Sequence, residues 1–438
     1  MNNDTHSSPN HSRREFLKTT ATLAAATTLG GLDLSRSAHA AGSDILRVGM
    51  IGCGGRCTGA AENALSADPG TRLVAMCDVF KDRVLEKRKY LQNKKPNQVT
   101  VDDDHCFDGV DGYKHVIASS DVVLIANAAK FHPYHLRAAI QAGKHAFIEK
   151  PHAIDPAGVK VLREALALAQ EKKLCVVSGL QSRYHQGIIA TVQQIQDGAI
   201  GEVVAIEENW LRAPYGLYER KPGMTETEFQ FSNQYHFHWL SGDDLVQTLA
   251  HNLDRSNWVM RNQPPVKVHG MGGRSSLVGE IYGSVFDHHS ATYEFANGVR
   301  LFAACRTINN CHEEVASLVL GTKGRASLLG CRIWGEKNWQ YTGKSGNAYQ
   351  IEHDRLFAAI RAGVPLNNGE YMVPSTLTVV MGQISCYTGK QVTWDQISQS
   401  DFNYPPKAED CRMDMEPPVT PGPHGSYPVY VPGQTKLI

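Results

Sequence analysis

The chain has no excess charge of either sign: 44 Lys and Arg balance 44 Asp and Glu over 438 residues. Without a basic footprint, nucleic acid and anionic membrane surfaces are excluded as expected partners. None of its ten cysteines is spaced C-x-x-C, so neither a dithiol redox motif nor a zinc knuckle is expected. His288-His289 has no third ligand in view, and no metal site is assigned. No internal repeat is found. Nor is there a convincing membrane span, because the apolar stretch at 19–32 is short and rich in threonine and glycine.

What is present begins with a tail that does not belong to the fold. Ser12-Arg13-Arg14-Glu15-Phe16-Leu17-Lys18 precedes the modest apolar stretch, and Ala38-His39-Ala40 offers a small-residue cleavage site. This is the pattern of a twin-arginine export signal over residues 1–40, and a periplasmic or secreted mature protein starting near Ala41 is expected. The remaining length suits two domains plus appendages. Cys53, Cys57, Cys77 and Cys175 lie in or beside core elements and read as small buried thiols.

The organising stretch is 45–78. An apolar run (Ile45, Leu46, Val48, Met50, Ile51) meets Gly52-Cys53-Gly54-Gly55-Arg56, a helical segment follows, and a second apolar run ends at Asp78. Strand, glycine turn, helix, strand and acid together form a dinucleotide-binding unit. The bare turn admits a pyrophosphate to backbone N–H groups and a helix N-terminus. Asp78 would accept ribose hydroxyls and repel a 2′-phosphate, which favours NAD over NADP. The third small position of this fingerprint falls on Cys57, which predicts somewhat looser helix packing; the competing reading is an ordinary strand-to-helix turn.

Strands and helices alternate from there to residue 179, with a helix at 81–91, a polar loop at 93–104, strands at 122–126, 145–148 and 174–178, and helices at 133–142 and 156–172. The Asp102-Asp103-Asp104 run reads as a solvated turn. This alternation predicts an α/β fold with a parallel Rossmann sheet over 43–179, and ligands at its strand ends near Asn127, His132 and Glu149-Lys150-Pro151. Beyond it, short strands at 203–207, 291–295, 300–305, 316–320 and 326–329 are separated by turns such as Asn297-Gly298. They predict an α+β second domain over 180–400 with a large, mostly antiparallel open sheet, helices at 352–362 and 375–389, and a Pro/Gly-rich arm over 401–438.

The glycine turn, Asp78, the Glu149-Lys150-Pro151 triplet and the segment 239–254 together resemble the Gfo/Idh/MocA oxidoreductases, the glucose–fructose oxidoreductase and inositol dehydrogenase family. The resemblance covers nearly the whole mature chain, to about Gly389. It implies NAD(P) in the first domain, a sugar or cyclitol site in the second, and a homo-oligomer, dimer or tetramer, built through the open sheet. Lys150 falls on the catalytic lysine, His132 on a histidine near the nicotinamide, and His251 on a histidine that many members pair with an aspartate four residues earlier. Here Gln247 stands in the aspartate's place. The residues themselves support this reading. A lysine at a strand tip can donate to the reacting oxygen or take its proton, and Glu149 can orient it. Four-residue spacing sets Gln247 and His251 on one helical face, with Asp244 a turn earlier. Glutamine cannot titrate, which leaves the base as His251 or Lys150.

Arg183, Tyr184 and His185 after the last parallel strand, Trp210 and Arg212 at the end of the next strand, and Tyr235, His236 and His238 before the catalytic helix are the candidate substrate contacts. The expected activity is hydride transfer between a small-molecule carbohydrate and a retained NAD(H). Two readings compete with it. One is an NAD-dependent glycosidase, whose Tyr-x-Thr-His run is absent. The other is a non-catalytic sugar-binding relative, suggested by Gln247 and Cys57.

Overall fold

The computed structural model describes residues 44–438; the export signal read in residues 1–40 lies outside the described residues. Short apolar runs buried on both faces make the first sheet, the expected behaviour of parallel strands covered by helices. It has six strands: β1 (Leu46–Ile51), β2 (Thr71–Asp78), β3 (Cys106–Asp108), β4 (Val122–Ile125), β5 (His145–Ile148) and β6 (Val176–Ser178). Their order is β3-β2-β1-β4-β5-β6, all parallel. Strand order reverses between β1 and β4, so the crevice past their carboxyl ends is where such a sheet takes a ligand.

The second sheet has nine strands: β7 (Val203–Arg212), β8 (Lys267–Gly273), β9 (His288–Glu294), β10 (Arg300–Thr307), β11 (Glu314–Gly321), β12 (Gly324–Ser327), β13 (Arg332–Gly335), β14 (Trp339–Gln340) and β15 (Val392–Thr393). The order is β14-β13-β12-β11-β7-β10-β9-β8-β15, and only β7–β10 is parallel. Alternation decides its two faces. Tyr293, Leu301, Ala303 and Val319 turn inward beneath the helices, while Phe302, Leu320 and Met271 point outward and are exposed.

Ile45–Ile438 forms one compact unit containing both sheets, and the chain crosses between them more than once. The helix Ala348–Ala362 leaves the second sheet and returns to the first, adding Leu356, Phe357 and Ile360 to the core around Leu46, Val48 and Phe147. That helix lies within the 180–400 span read as the second domain, and its apolar stripe packs on the Rossmann core. The following helix, Gly369–Thr388, begins six residues earlier than expected and carries Pro374 in its first turns. The arm after residue 401 has one short 3-10 turn and is pinned by side chains donating to its carbonyls, Lys130 to Tyr404 (2.6 Å) and Gln230 to Val419 (2.6 Å).

Candidate active site

A glycine follows β1 because a side chain would not fit there. Gly52 has φ +96°, and a Cβ there would lie 2.9 Å from the Ala126 carbonyl and the Asn127 backbone. Gly54 and Gly55, which open the helix Gly55–Ala67, have no neighbour within 4 Å of such a Cβ, leaving an open cradle over the helix N-terminus. That is the space a pyrophosphate needs. Cys57 sits fully buried in the third fingerprint position, its thiol on the carbonyls of Ile51 and Leu124.

Gly52, Gly54, Asp78, Asn127 and Arg83 bound one pocket at the sheet's carboxyl edge, closed on the far side by Phe231 and Gln234 of the second domain. Asp78 holds the turn as well as facing the pocket, accepting from the N–H of Cys53 (2.7 Å) and of Phe80 (3.2 Å). Burial pushes its carboxyl up, opposed by those donors and by Arg83. The side-chain oxygen of Asn127 is buried without a partner, an acceptor left for a bound group. These residues fit an NAD whose ribose meets Asp78 and whose phosphates meet the glycine cradle.

At the next strand tip, Lys150 Nζ donates to the backbone carbonyl of Gln247 at 2.9 Å. Glu149 accepts from the Lys150 N–H (3.0 Å) and pairs with Arg56 (3.0 Å), whose guanidinium lies over Tyr349 at 4.6 Å. Burial raises the Glu149 carboxyl, while Arg56 and Lys150 oppose it. His132 bridges the carbonyls of Pro151 (2.7 Å) and Asn127 (3.0 Å), tying the lysine's turn to the β4 loop. Burial lowers its pKa to about 4, so the ring is neutral and donates to one carbonyl at a time.

His251 opens the helix Ala250–Val259 and its buried Nδ1 has no partner. Burial, then the charges of Lys150 and Arg255, hold it well below the ordinary histidine range. A neutral imidazole with an unpartnered nitrogen can accept from a substrate hydroxyl, while the Lys150 charge disfavours the protonated ring. Trp210 lies beside the ring, centroids 6.1 Å apart, and both border a second cavity together with His185. Tyr235 stacks on Tyr215 at 4.2 Å and stays 38% exposed.

Three expected site residues are placed otherwise. The Gln247 amide donates to the Ser241 carbonyl (2.7 Å), so this residue meets the lysine only through its backbone. Arg183 is locked on Asp254 by two contacts of 2.8 and 3.0 Å, between Trp258 and Tyr371, which consumes the guanidinium in the interior. His238 is half-buried, with its two ring nitrogens engaged by Ser284 (2.7 Å) and Tyr430 (3.2 Å). These three polar side chains are engaged by neighbouring groups of the protein, a distinction that composition does not signal.

Sequence reasoning passed over Arg255. It stands one turn after His251 on the same face, and that four-residue spacing was the available signal. The role of Asp244 was also underread. It accepts from Arg212 (2.5 Å) and Thr248 (2.5 Å), and the Arg212 guanidinium lies 3.6 Å from the Tyr215 ring centre, so one ion pair carries the Tyr215–Tyr235 stack.

A parallel sheet with a glycine cradle, joined to a second sheet whose helix sets a histidine beside the first sheet's lysine, defines a two-domain dinucleotide-dependent oxidoreductase fold. Comparison with known families makes this specific. Residues 46–180 match the oxidoreductase family with an NAD-binding Rossmann fold, and residues 189–327 match the GFO/IDH/MocA C-terminal domain. The chain belongs to the Gfo/Idh/MocA family.

It is 30% identical over 323 residues to a glycosyl hydrolase family 109 protein of Shewanella sp. strain ANA-3, covering 64% of this chain and 69% of that one. It is 25% identical over 287 residues to inositol 2-dehydrogenase of Serratia proteamaculans, covering 65% and 74%. Other curated relatives align over much less, as with 24% of the length of a family 109 protein from Solibacter usitatus. In fold the chain is like levoglucosan dehydrogenase in complex with NADH, with TM-score 0.62, 18% identity, and 80% and 100% of the two chains covered.

Proposed function

We propose that this protein oxidises a hydroxyl-bearing carbon of a sugar or cyclitol and delivers the hydride to a nicotinamide cofactor it retains. The observation that carries this is Lys150, held on the Gln247 carbonyl one helical turn before His251, with its charge acting on a neutral imidazole whose buried Nδ1 has no partner. When bound, the nicotinamide supplies the hydride acceptor. The chain supplies the rest. His251 takes the hydroxyl proton, and Lys150 donates a hydrogen bond to the oxygen as negative charge develops there. The Gln247 carbonyl fixes Nζ, and the Arg56–Glu149 pair with His132 holds the lysine's turn. NAD is favoured over NADP because Asp78 faces the ribose position.

Retention of the cofactor is supported by the walls around its pocket, which come from both domains, and by the exposed segment carrying Tyr218, whose ring lies 5.4 Å from Arg83. We also propose export through the twin-arginine pattern at Arg13-Arg14 and assembly into a homo-oligomer over the outer face of the nine-stranded sheet, where Phe302, Leu320 and Met271 are exposed. The reading is tested by purifying the mature protein without added nucleotide, releasing and identifying what is bound, then following NADH formation with a panel of sugars and cyclitols. An empty pocket that also ignores added NAD ends it.

The similarity to glycosyl hydrolase family 109 proteins supports a second reading, transient oxidation followed by cleavage at the glycosidic bond and re-reduction. Release of an aglycone with no net NADH separates it from the first.

A further inference from the structure

Next to the reaction centre lies a cavity of about 350 Å³, lined by Trp210, His251, Gln181, His185, Asn347 and Arg255 among others, with no acidic side chain among its lining residues. Arg255 is 2% exposed. Its Nε donates to Ser317 (3.2 Å) and its Nη1 to Ser182 (3.3 Å), while Nη2 is buried without a hydrogen-bond partner. The nearest carboxylate, Glu208, stands 3.7 Å from Nη2, and its oxygens already accept from Asn252, Ser256 and Ser317 at 2.8 Å each. Burial pushes the Glu208 carboxyl up to about 7 against the pull of Arg255, so near neutrality it offsets the guanidinium only in part. Nη2 thus keeps only a longer ion pair to Glu208 and no hydrogen bond, and a buried donor in that state is set to receive an acceptor from the cavity.

We propose that the substrate is a carboxylate-bearing carbohydrate, a sugar acid of the uronate kind, and that Arg255 recognises its carboxylate. This rests on the hydride-transfer reading and names its substrate class. Arg255 follows His251 by four residues, a rise of roughly 6 Å along the helix. A ring whose reacting hydroxyl meets His251 therefore extends its carboxylate toward Arg255. A carboxylate accepts a charge-assisted bond from the planar guanidinium; the primary alcohol of a neutral sugar offers only a weaker, single contact. Gln181 contributes a second specificity element, because its buried, unpartnered Oε1 can accept from a ring hydroxyl at the same wall.

The test is calorimetric titration of the purified holoprotein with D-glucuronate and D-galacturonate against D-glucose and D-galactose. The acids are expected to bind about tenfold tighter or more than their neutral counterparts. The preference should shrink in Arg255→Lys and vanish in Arg255→Met. Because the methionine variant strands Glu208 and can unfold, the comparison in the unaltered protein decides. Neutral sugars binding as tightly as the acids, or no binding of either acid, overturns the proposal. NADH formation is recorded in the same samples: tight acid binding without hydride transfer to the nicotinamide for any sugar removes the dehydrogenase reading and leaves the carboxylate preference standing.

Discussion

Lys150 at the tip of the fifth parallel strand and Gln247 on the second domain are joined by one hydrogen bond, Nζ to the backbone carbonyl, 2.9 Å long. A carbonyl cannot exchange protons with the lysine, so the bond positions Nζ without competing for its chemistry. Lys150→Ala is expected to lower kcat by about 10² to 10⁴. It should leave the bound nucleotide in place, because the glycine cradle and Asp78 are untouched. Single-turnover kinetics and nucleotide release on the same preparation check both halves. Gln247→Ala, by contrast, retains the carbonyl and should cost far less.

Burial sets the acid limit of the fold. His132 and His238 are pushed down to about 4, and His135 and His152 to about 3, each mainly by desolvation. In the unfolded chain these rings titrate near 6.5, so below that pH the unfolded state binds more protons than the native one. Their contribution is complete above about 6.5 and is lost as pH falls toward 4, with a slope of up to roughly 1.4 kcal/mol per pH unit for each ring that charges. Urea midpoints measured from pH 8 to 5 should be level at first and then fall steeply.

Asp78 and Arg83 line the same pocket, and the Arg83 charge opposes the rise that burial imposes on the carboxyl. Removing the carboxylate's charge while keeping an acceptor for the Cys53 N–H should relax the cofactor choice. Asp78→Asn is expected to raise NADP affinity about tenfold, with Arg83 available to the 2′-phosphate, and to weaken NAD modestly. Fluorescence titration with NADH and NADPH measures the ratio. An unchanged ratio would show that the carboxylate serves the turn alone.

Five strands of the first sheet were legible as apolar runs bracketed by glycine, proline or a polar turn; β3, the three residues Cys106–Asp108, carries no such run and was missed. The second sheet was only partly legible. β8 reads Lys-Val-His-Gly-Met-Gly-Gly, three glycines in seven residues, which resembles a loop until pairing with β9 supplies its hydrogen bonds. Lys150, His251, Trp210, His185 and Tyr235 were proposed from their position in the chain. Arg183 and His238 were proposed as substrate contacts because a buried ion pair and a half-buried hydrogen-bonded imidazole use the same residue types as a sugar site. Only the three-dimensional partners, Asp254 for one and Ser284 with Tyr430 for the other, tell them apart.

That distinction yields a prediction of its own. Asp254 is fully buried and accepts from Arg183 (2.8 and 3.0 Å) and from Ser375 (2.8 Å), while Arg183 also donates to Asn262 (3.0 Å) and packs against Trp258 and Tyr371. Arg183→Met preserves much of the side-chain volume but leaves a buried carboxylate with a hydroxyl as its remaining side-chain donor. The expected loss is about 3–5 kcal/mol of folding stability, the usual result of removing one partner of a buried pair. The double change Arg183→Met with Asp254→Leu should recover part of that loss, since the unpaired charge goes with it. If Arg183 instead touched substrate, the single variant would raise KM and leave the urea midpoint where it was. Denaturation and saturation kinetics on the same variant separate the two roles.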